Sequence, residues 1–247
     1  MIISRTPLRM SFVGGGSDLP VFYRKFGGAV VSTAIDQYVY ITVNKKFDDS
    51  IRVSYSKTEE ATSVDRIQHP LVRESMKLAG LTGGVEITSV ADIPARGSGL
   101  GSSSTFSVGL LHALHAHAGR HASAEQLACE ACEIEIDRCG EPIGRQDQYA
   151  AAFGGLNFIR FNPDDSVVVE PIICRKETLR AMQDHLIVFY TGITRSASAI
   201  LQHQQAALAG ERKKQNVTKR MVALAQDLRR ELQANRVQSF GEIVHEG

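Results

Sequence analysis

The sequence predicts an α+β fold in two layers, helices packed on sheet, and three observations carry it. From Leu8 to Tyr55 the chain is built of short alternating or β-branched runs, the mark of strands. A Gly/Ser-rich loop then opens a long apolar stretch with helical character, Thr105 to Ala118. After Arg175 the character changes to long polar helices, with one strand expected at His185–Tyr190. At 247 residues and 43% hydrophobic, the chain is long enough to bury a proper core, since single cores stop growing near ~250–300 residues.

Along the chain, Leu8, Met10 and Phe12 alternate with Arg9, Ser11 and Val13, which reads as a strand ending at Gly14-Gly15-Gly16. Leu19 to Phe26 reads as a short helix. Gly27-Gly28 resets the chain for β-rich runs at Ala29–Ala34, Tyr38–Asn44 and Ile51–Tyr55. A helix around Leu71–Ala79 and a strand at Val85–Ser89 lead to Pro94 and the Gly/Ser loop. Ser123 with Gln126 three residues on forms a capping box for a helix running to about Cys139, which Gly140 and Pro142 stop. A short helix near Gln146–Ala152 precedes Gly154-Gly155 and two strands. The domain boundary is expected near residue 175, giving a first domain over 1–175 and the start of a second over 176–247. One strand is too little sheet to complete a two-layer core there, so the sequence reads as ending inside its second domain.

Composition excludes several classes. The formal net charge of +1 supplies no global field toward nucleic acid or an anionic membrane. No stretch is long and apolar enough for a membrane span, and no leader is visible, so a cytoplasmic protein is expected. Cys129, Cys132, Cys139 and Cys174 are read as reduced structural thiols. Cys129 and Cys132 lie inside a helical pattern and lack a second pair at zinc-finger spacing. His112, His115, His117 and His121 are read as core-bordering or solvated, because no interleaved carboxylate completes a metal set. Between Gly210 and Arg236 eight Lys/Arg face three acids, a solvated basic face without the aromatics that nucleic-acid binding would add.

The strongest chemical signal is the run Gly97, Ser98, Gly99, Leu100, Gly101, Ser102, Ser103, Ser104, with three glycines and four hydroxyls before a helix. Glycines let the backbone approach a polyphosphate, the free amides of the helix start point at its oxygens, and the macrodipole adds about half a positive charge. A serine there also suits Mg²⁺. No Lys-Ser/Thr follows the last glycine, which excludes a Walker loop. Ser104 stands where a dinucleotide fingerprint needs its third glycine, which excludes that reading too. A second signal is acidic: Glu130, Glu133, Glu135 and Asp137 near a helix end, then Asp147 in a glycine-bracketed segment. Phosphoryl transfer needs one carboxylate for Mg²⁺ and another near the acceptor hydroxyl, whereas a solvated acidic face is the alternative for Glu130, Glu133 and Asp137. The third signal is Arg9 on a strand that ends in Gly14-Gly15-Gly16-Ser17-Asp18, where Asp18 is either a helix cap or a ligand for something polar.

These three blocks, in this order and spacing, resemble the GHMP kinases. The resemblance implies ATP on the Gly97–Ser104 loop, Mg²⁺ on Ser103 and Glu135, and Asp147 as the catalytic aspartate with Arg9 near the transferring phosphate. It implies sugar contacts from Gly15, Gly16, Ser17 and Asp18. The wording around residues 14–20, 144–149 and 191–198 looks most like members acting on a sugar phosphate, with Arg195 as the candidate for that phosphate. The partner implied is therefore a small-molecule sugar phosphate, with no nucleic acid and no membrane, and a homodimer is compatible with it. The fold implied is a ribosomal-protein-S5-domain-2-like N-terminal domain and a partial, truncated ferredoxin-like C-terminal domain. The chain ends before the family's third, Gly-rich motif. Two other readings stay open: another sugar-1-kinase of fucokinase or galactokinase type, and a non-catalytic nucleotide- or sugar-binding regulator. Retention of Arg9, Glu135 and Asp147 counts against the regulator.

Overall fold

A computed structural model describes residues 1–93, 98–189 and 197–247. The fold is α+β with a mixed sheet. It divides into two compact units that interleave along the chain. The first comprises Met1–Arg9, Ile35–Pro142 and Asp147–Phe153, the second Met10–Ala34, Ile143–Gln146 and Gly154–Gly247. Strand β1 (Ile2–Val13) pairs with β2 (Gly28–Lys45), and both strands contribute residues to each unit.

In the first unit the later part of β2 pairs antiparallel with β5 (Val85–Ala91), from Val39 opposite Ala91 to Lys45 opposite Val85. β3 (Ile51–Ser54) runs parallel to β5 and antiparallel to β4 (Thr58–Ala61). One sheet face is apolar because Val39, Ile41, Val43, Ile51, Val53 and Ile87 recur with period two, and it buries against α2 (Pro70–Ala79) and α3 (Ser102–His117). The opposite side of α3 offers Val108 and Leu111 to Leu127 and Ala131 of α4 (Ala124–Cys132) and to Ala151 of α5 (Gln146–Phe153). The Ser123 cap forms as its sequence requires, its hydroxyl accepting from the Gln126 amide at 3.1 Å. α4 does not run on as a regular helix to Cys139: Glu133–Arg138 is wound wider, as a π-helical turn.

In the second unit the first part of β2 pairs antiparallel with β6 (Leu156–Phe161), and β6 with β7 (Val167–Pro171). Val31 and Phe158 from this sheet bury against Met182 of α6 (Lys176–Asp184), Leu224, Leu228 and Leu232 of α8 (Arg212–Gln233), and Phe240 of α9 (Phe240–Glu246). Residue 175 falls inside this unit.

Three expectations change. The runs at Ala29–Ala34 and Tyr38–Asn44 are one strand, since the exposed Asp36 and Gln37 continue β2 rather than break it. β4, too polar to stand out, forms because β3 gives it a partner. His185–Phe189, the described part of the expected strand 185–190, is no strand. The helix α6 precedes it, and Ile187, Val188 and Phe189 stand exposed, joining no ladder among the described residues. Among those residues no helix is long and apolar enough to cross a membrane.

Candidate active site

The side chains singled out by sequence gather in two clusters, one in each unit. In the first unit, the loop entering α3 turns on Gly99 and Gly101, at φ +74° and +76°, where a Cβ would be strained. Gly101 is the residue before α3, and no side chain caps the helix start. The amides opening α3 therefore keep their donors, at the positive end of the helix, for a ligand.

Arg9 is tied to this loop twice. Its backbone amide donates to the Leu100 carbonyl at 3.2 Å, and its Nη1 donates to the Gly99 carbonyl at 2.8 Å. Its Nε and Nη2 converge on a single oxygen of Asp147, Oδ1, both at 2.7 Å. Asp147 Oδ2 makes no hydrogen bond among the described residues, and it is the oxygen facing the loop: a Cβ on Gly101 would lie 3.3 Å from it and 3.3 Å from Arg9 Cγ. One carboxylate oxygen is thus anchored and the other is presented beside the glycine-rich turn.

Glu135 lies in the π-helical turn, a deformation that frequently marks functional positions. It is 1% exposed. Ser103 Oγ donates to its Oε1 at 2.7 Å, and Gln148 Nε2 donates to its Oε2 at 2.7 Å. Burial pushes the Glu135 carboxyl above the usual carboxylate range. Hydrogen bonds from Ser103, Ser104 and Gln148 pull it back down, and the charge of Asp147 pushes it further up. The donors holding this buried carboxylate are neutral, so a cation would complete its charge balance. Paired hydroxyl and carboxylate oxygens suit a hard divalent ion that keeps the rest of its shell for phosphate and water. Among the described residues no group of three or more His, Cys, Asp or Glu forms a cation cage. Ser103 Oγ and the Glu135 carboxylate, 2.7 Å apart, have the oxygen chemistry that fits Mg²⁺.

In the second unit, Gly14 to Asp18 form a closed turn. Ser17 is fully buried, its hydroxyl donating to the Gly14 carbonyl at 2.7 Å and receiving the Ala29 amide at 3.1 Å. Asp18, 2% exposed, accepts from the Gly16 amide at 3.2 Å, from the Gln146 amide at 3.1 Å and from Gln146 Nε2 at 3.2 Å. Gln146 Oε1 in turn receives Ser11 Oγ at 2.9 Å. Gly144 packs so tightly that a Cβ there would overlap the Asp18 carboxylate, and Gly16 is similarly covered by the Gln204 amide. Gly15 alone of this turn is exposed.

Gly97 and Arg195, with the neighbouring Thr194 and Ser196, lie outside the described residues. Of the remaining acids, Glu130 meets His115 Nε2 at 2.7 Å, Glu133 receives Arg138 at 2.6 Å, and Asp137 is exposed. The four cysteines are free thiols. Ser11, Gly144, Gln146 and Gln148 were not singled out by sequence reasoning. Their signal was present, since three of them sit in the segment Gly140–Gln148 that carries Asp147, but amides and a lone glycine have no titration or periodicity to mark them.

Residues 67–155 match the GHMP kinases N terminal domain. Over 226 residues the chain is 30% identical to the D-glycero-alpha-D-manno-heptose 7-phosphate kinase of Campylobacter jejuni, an overlap of 85% of this chain and 66% of that one. A galactokinase of Pyrococcus furiosus is 26% identical over 223 residues, or 85% of this chain and 58% of the relative. Among solved structures, that of a D-glycero-D-manno-heptose 1-phosphate kinase from Bacteriodes thetaiotaomicron superposes with a TM-score of 0.84 at 26% identity, over 98% of this chain and 76% of that one. The chain thus spans 66% and 58% of the length of these two curated relatives.

Proposed function

We propose, for a chain that belongs to the GHMP kinase family, that it transfers the γ-phosphoryl group of ATP to the anomeric C1 hydroxyl of D-glycero-D-manno-heptose 7-phosphate, giving the 1,7-bisphosphate used in nucleotide-activated heptose biosynthesis. The observation that carries this is the meeting of Gly101, Arg9 and Asp147 at one turn, with Asp147 Oδ2 facing the loop and making no hydrogen bond among the described residues. Two of the relatives are named for a heptose phosphate, which supports that acceptor class.

The amides of Ser102, Ser103 and Ser104 and the helix end behind them receive the triphosphate. Arg9, held by the Gly99 carbonyl and by Asp147, places its positive charge against the negative oxygens of the transferring phosphoryl group. Asp147 Oδ2 takes or orients the proton of the acceptor hydroxyl, while Oδ1 stays fixed by Arg9. Ser103 and Glu135 hold Mg²⁺, which when bound neutralises phosphate charge. On the sugar side, the exposed Gly15 backbone meets the substrate, while Ser17 and Asp18 keep Gly16 and the turn in shape. Arg195 grips the sugar's existing phosphate, a role resting on sequence alone. In fold terms we read residues 1–175 as a ribosomal-protein-S5-domain-2-like ATP-binding domain and 176–247 as belonging to a ferredoxin-like one, a division along the sequence that the two interleaved compact units do not follow.

A coupled ADP-release assay over a panel of sugars and sugar phosphates tests this. Turnover should be highest with the heptose 7-phosphate. Nucleotide binding without ADP release on any sugar would point instead to a regulator, and equal turnover of the unphosphorylated heptose would remove Arg195 from its role.

A further inference from the structure

We infer that Gln148 is a positioning residue for divalent-cation recognition, the side chain that holds Glu135 in register with Ser103. The inference rests on the reading of Ser103 and Glu135 as the Mg²⁺ pair. Gln148 has no exposed surface, so its amide cannot serve solvent, and its Nε2 donates to Glu135 Oε2 at 2.7 Å. The opposite oxygen, Oε1, is the one that Ser103 reaches at 2.7 Å. The carboxylate is therefore gripped from both ends, by Gln148 on one oxygen and Ser103 on the other, with Ser104 as a further donor. Gln148 follows Asp147 in the first turn of α5, so a single helix turn carries both the carboxylate that meets Arg9 and the amide that orients Glu135. Gln148 Oε1 is buried without a partner among the described residues. That leaves the side chain secured through Nε2 alone, so Glu135 is its anchor as much as the reverse.

Groups that orient a metal ligand typically change metal affinity by about 10–100-fold when removed. Gln148→Met keeps length and volume and removes both amide atoms. Calorimetric titration with ATP, in the presence and absence of Mg²⁺, gives the factor by which the ion tightens nucleotide binding. In the native protein this factor should be large. In Gln148→Met it should fall roughly 10-fold, with affinity for metal-free ATP changed less than about twofold. A merely structural loss would weaken both titrations alike, and that result, or an unchanged Mg²⁺ factor, would overturn the inference. No Mg²⁺ effect in the native protein would overturn the reading of the metal pair and this inference with it. Should the variant fail to fold, the side-chain amide resonance of native Gln148 decides. It should shift on adding Mg²⁺ with ATP but not ATP alone, and indifference to the ion would refute the role.

Discussion

Two glycine-rich turns precede helices in this chain, and they differ in where their donors go. At Gly14–Asp18 the hydrogen bonds are turned inward: the Ser17 hydroxyl donates to Gly14, the Gly16 amide donates to Asp18, and Asp18 also accepts from the Gln146 amide. At Gly99–Ser104 the cap is a glycine without a side-chain acceptor, and two charged groups beside it, Arg9 and Asp147, meet through one carboxylate oxygen among the described residues. Glycine content alone therefore does not decide what a turn can receive. The turn with outward amides and a half-engaged carboxylate is suited to receive a charged group, whereas the turn with closed hydrogen bonds is suited to hold shape.

The strongest way to break this contrast is Asp147→Asn, which keeps the geometry and removes the charge at Oδ2. Turnover should fall by about 10²–10⁴ with ATP affinity little changed. Unchanged turnover in the ADP-release assay would remove Asp147 from the chemistry.

Alanine in each turn sharpens the contrast. Gly144→Ala drives a methyl group into the Asp18 carboxylate and should lower stability by about 1–3 kcal/mol in a thermal melt, because the turn it abuts is already closed. Gly101→Ala brings a methyl group to a tight 3.3 Å from Arg9 Cγ and Asp147 Oδ2 and is strained at φ +76°, the backbone alone costing about 1–2 kcal/mol, and it should in addition weaken nucleotide binding. If Gly144→Ala lost nucleotide affinity at unchanged stability, the division of roles would be wrong.

The smallest effect concerns Glu135. Its carboxyl is raised by burial, so the folded state holds its proton to higher pH than the unfolded chain does. The stability it contributes is full at pH values below the ordinary carboxyl range and is lost as pH rises through the raised value. Glu135→Gln removes that dependence. Melting curves of the variant and the native chain should therefore diverge in the variant's favour from acid toward neutral pH, while the variant loses Mg²⁺-dependent nucleotide binding. A constant difference across that range would show that Glu135 carries no such penalty.

Much of the framework was legible because it is written locally. The Ser123 cap, the β5 strand and the α3 helix each follow from a signal within a few residues, and the structure places them within three residues of expectation. What was missed depends on partners far along the chain. β4 exists because β3 pairs with it, and the 185–189 segment carries strand residues but joins no ladder among the described residues. α6 is hard to read from sequence because its polar run buries only Thr178 and Met182. In the candidate site, the residue types of the loop, Arg9, Glu135 and Asp147 were readable, but not their meeting, which joins positions 138 apart in the case of Arg9 and Asp147. Gln146 and Gln148 escaped because an amide declares its role only through the partner it finds.

The most direct measurement is a titration of the native protein with ATP and Mg²⁺ while following the backbone amide resonances of residues 98–104. Large shifts at Ser102, Ser103 and Ser104, together with a change at Asp147, are the predicted result. Saturable nucleotide binding that leaves those amides unmoved would contradict the placing of the triphosphate at the start of α3.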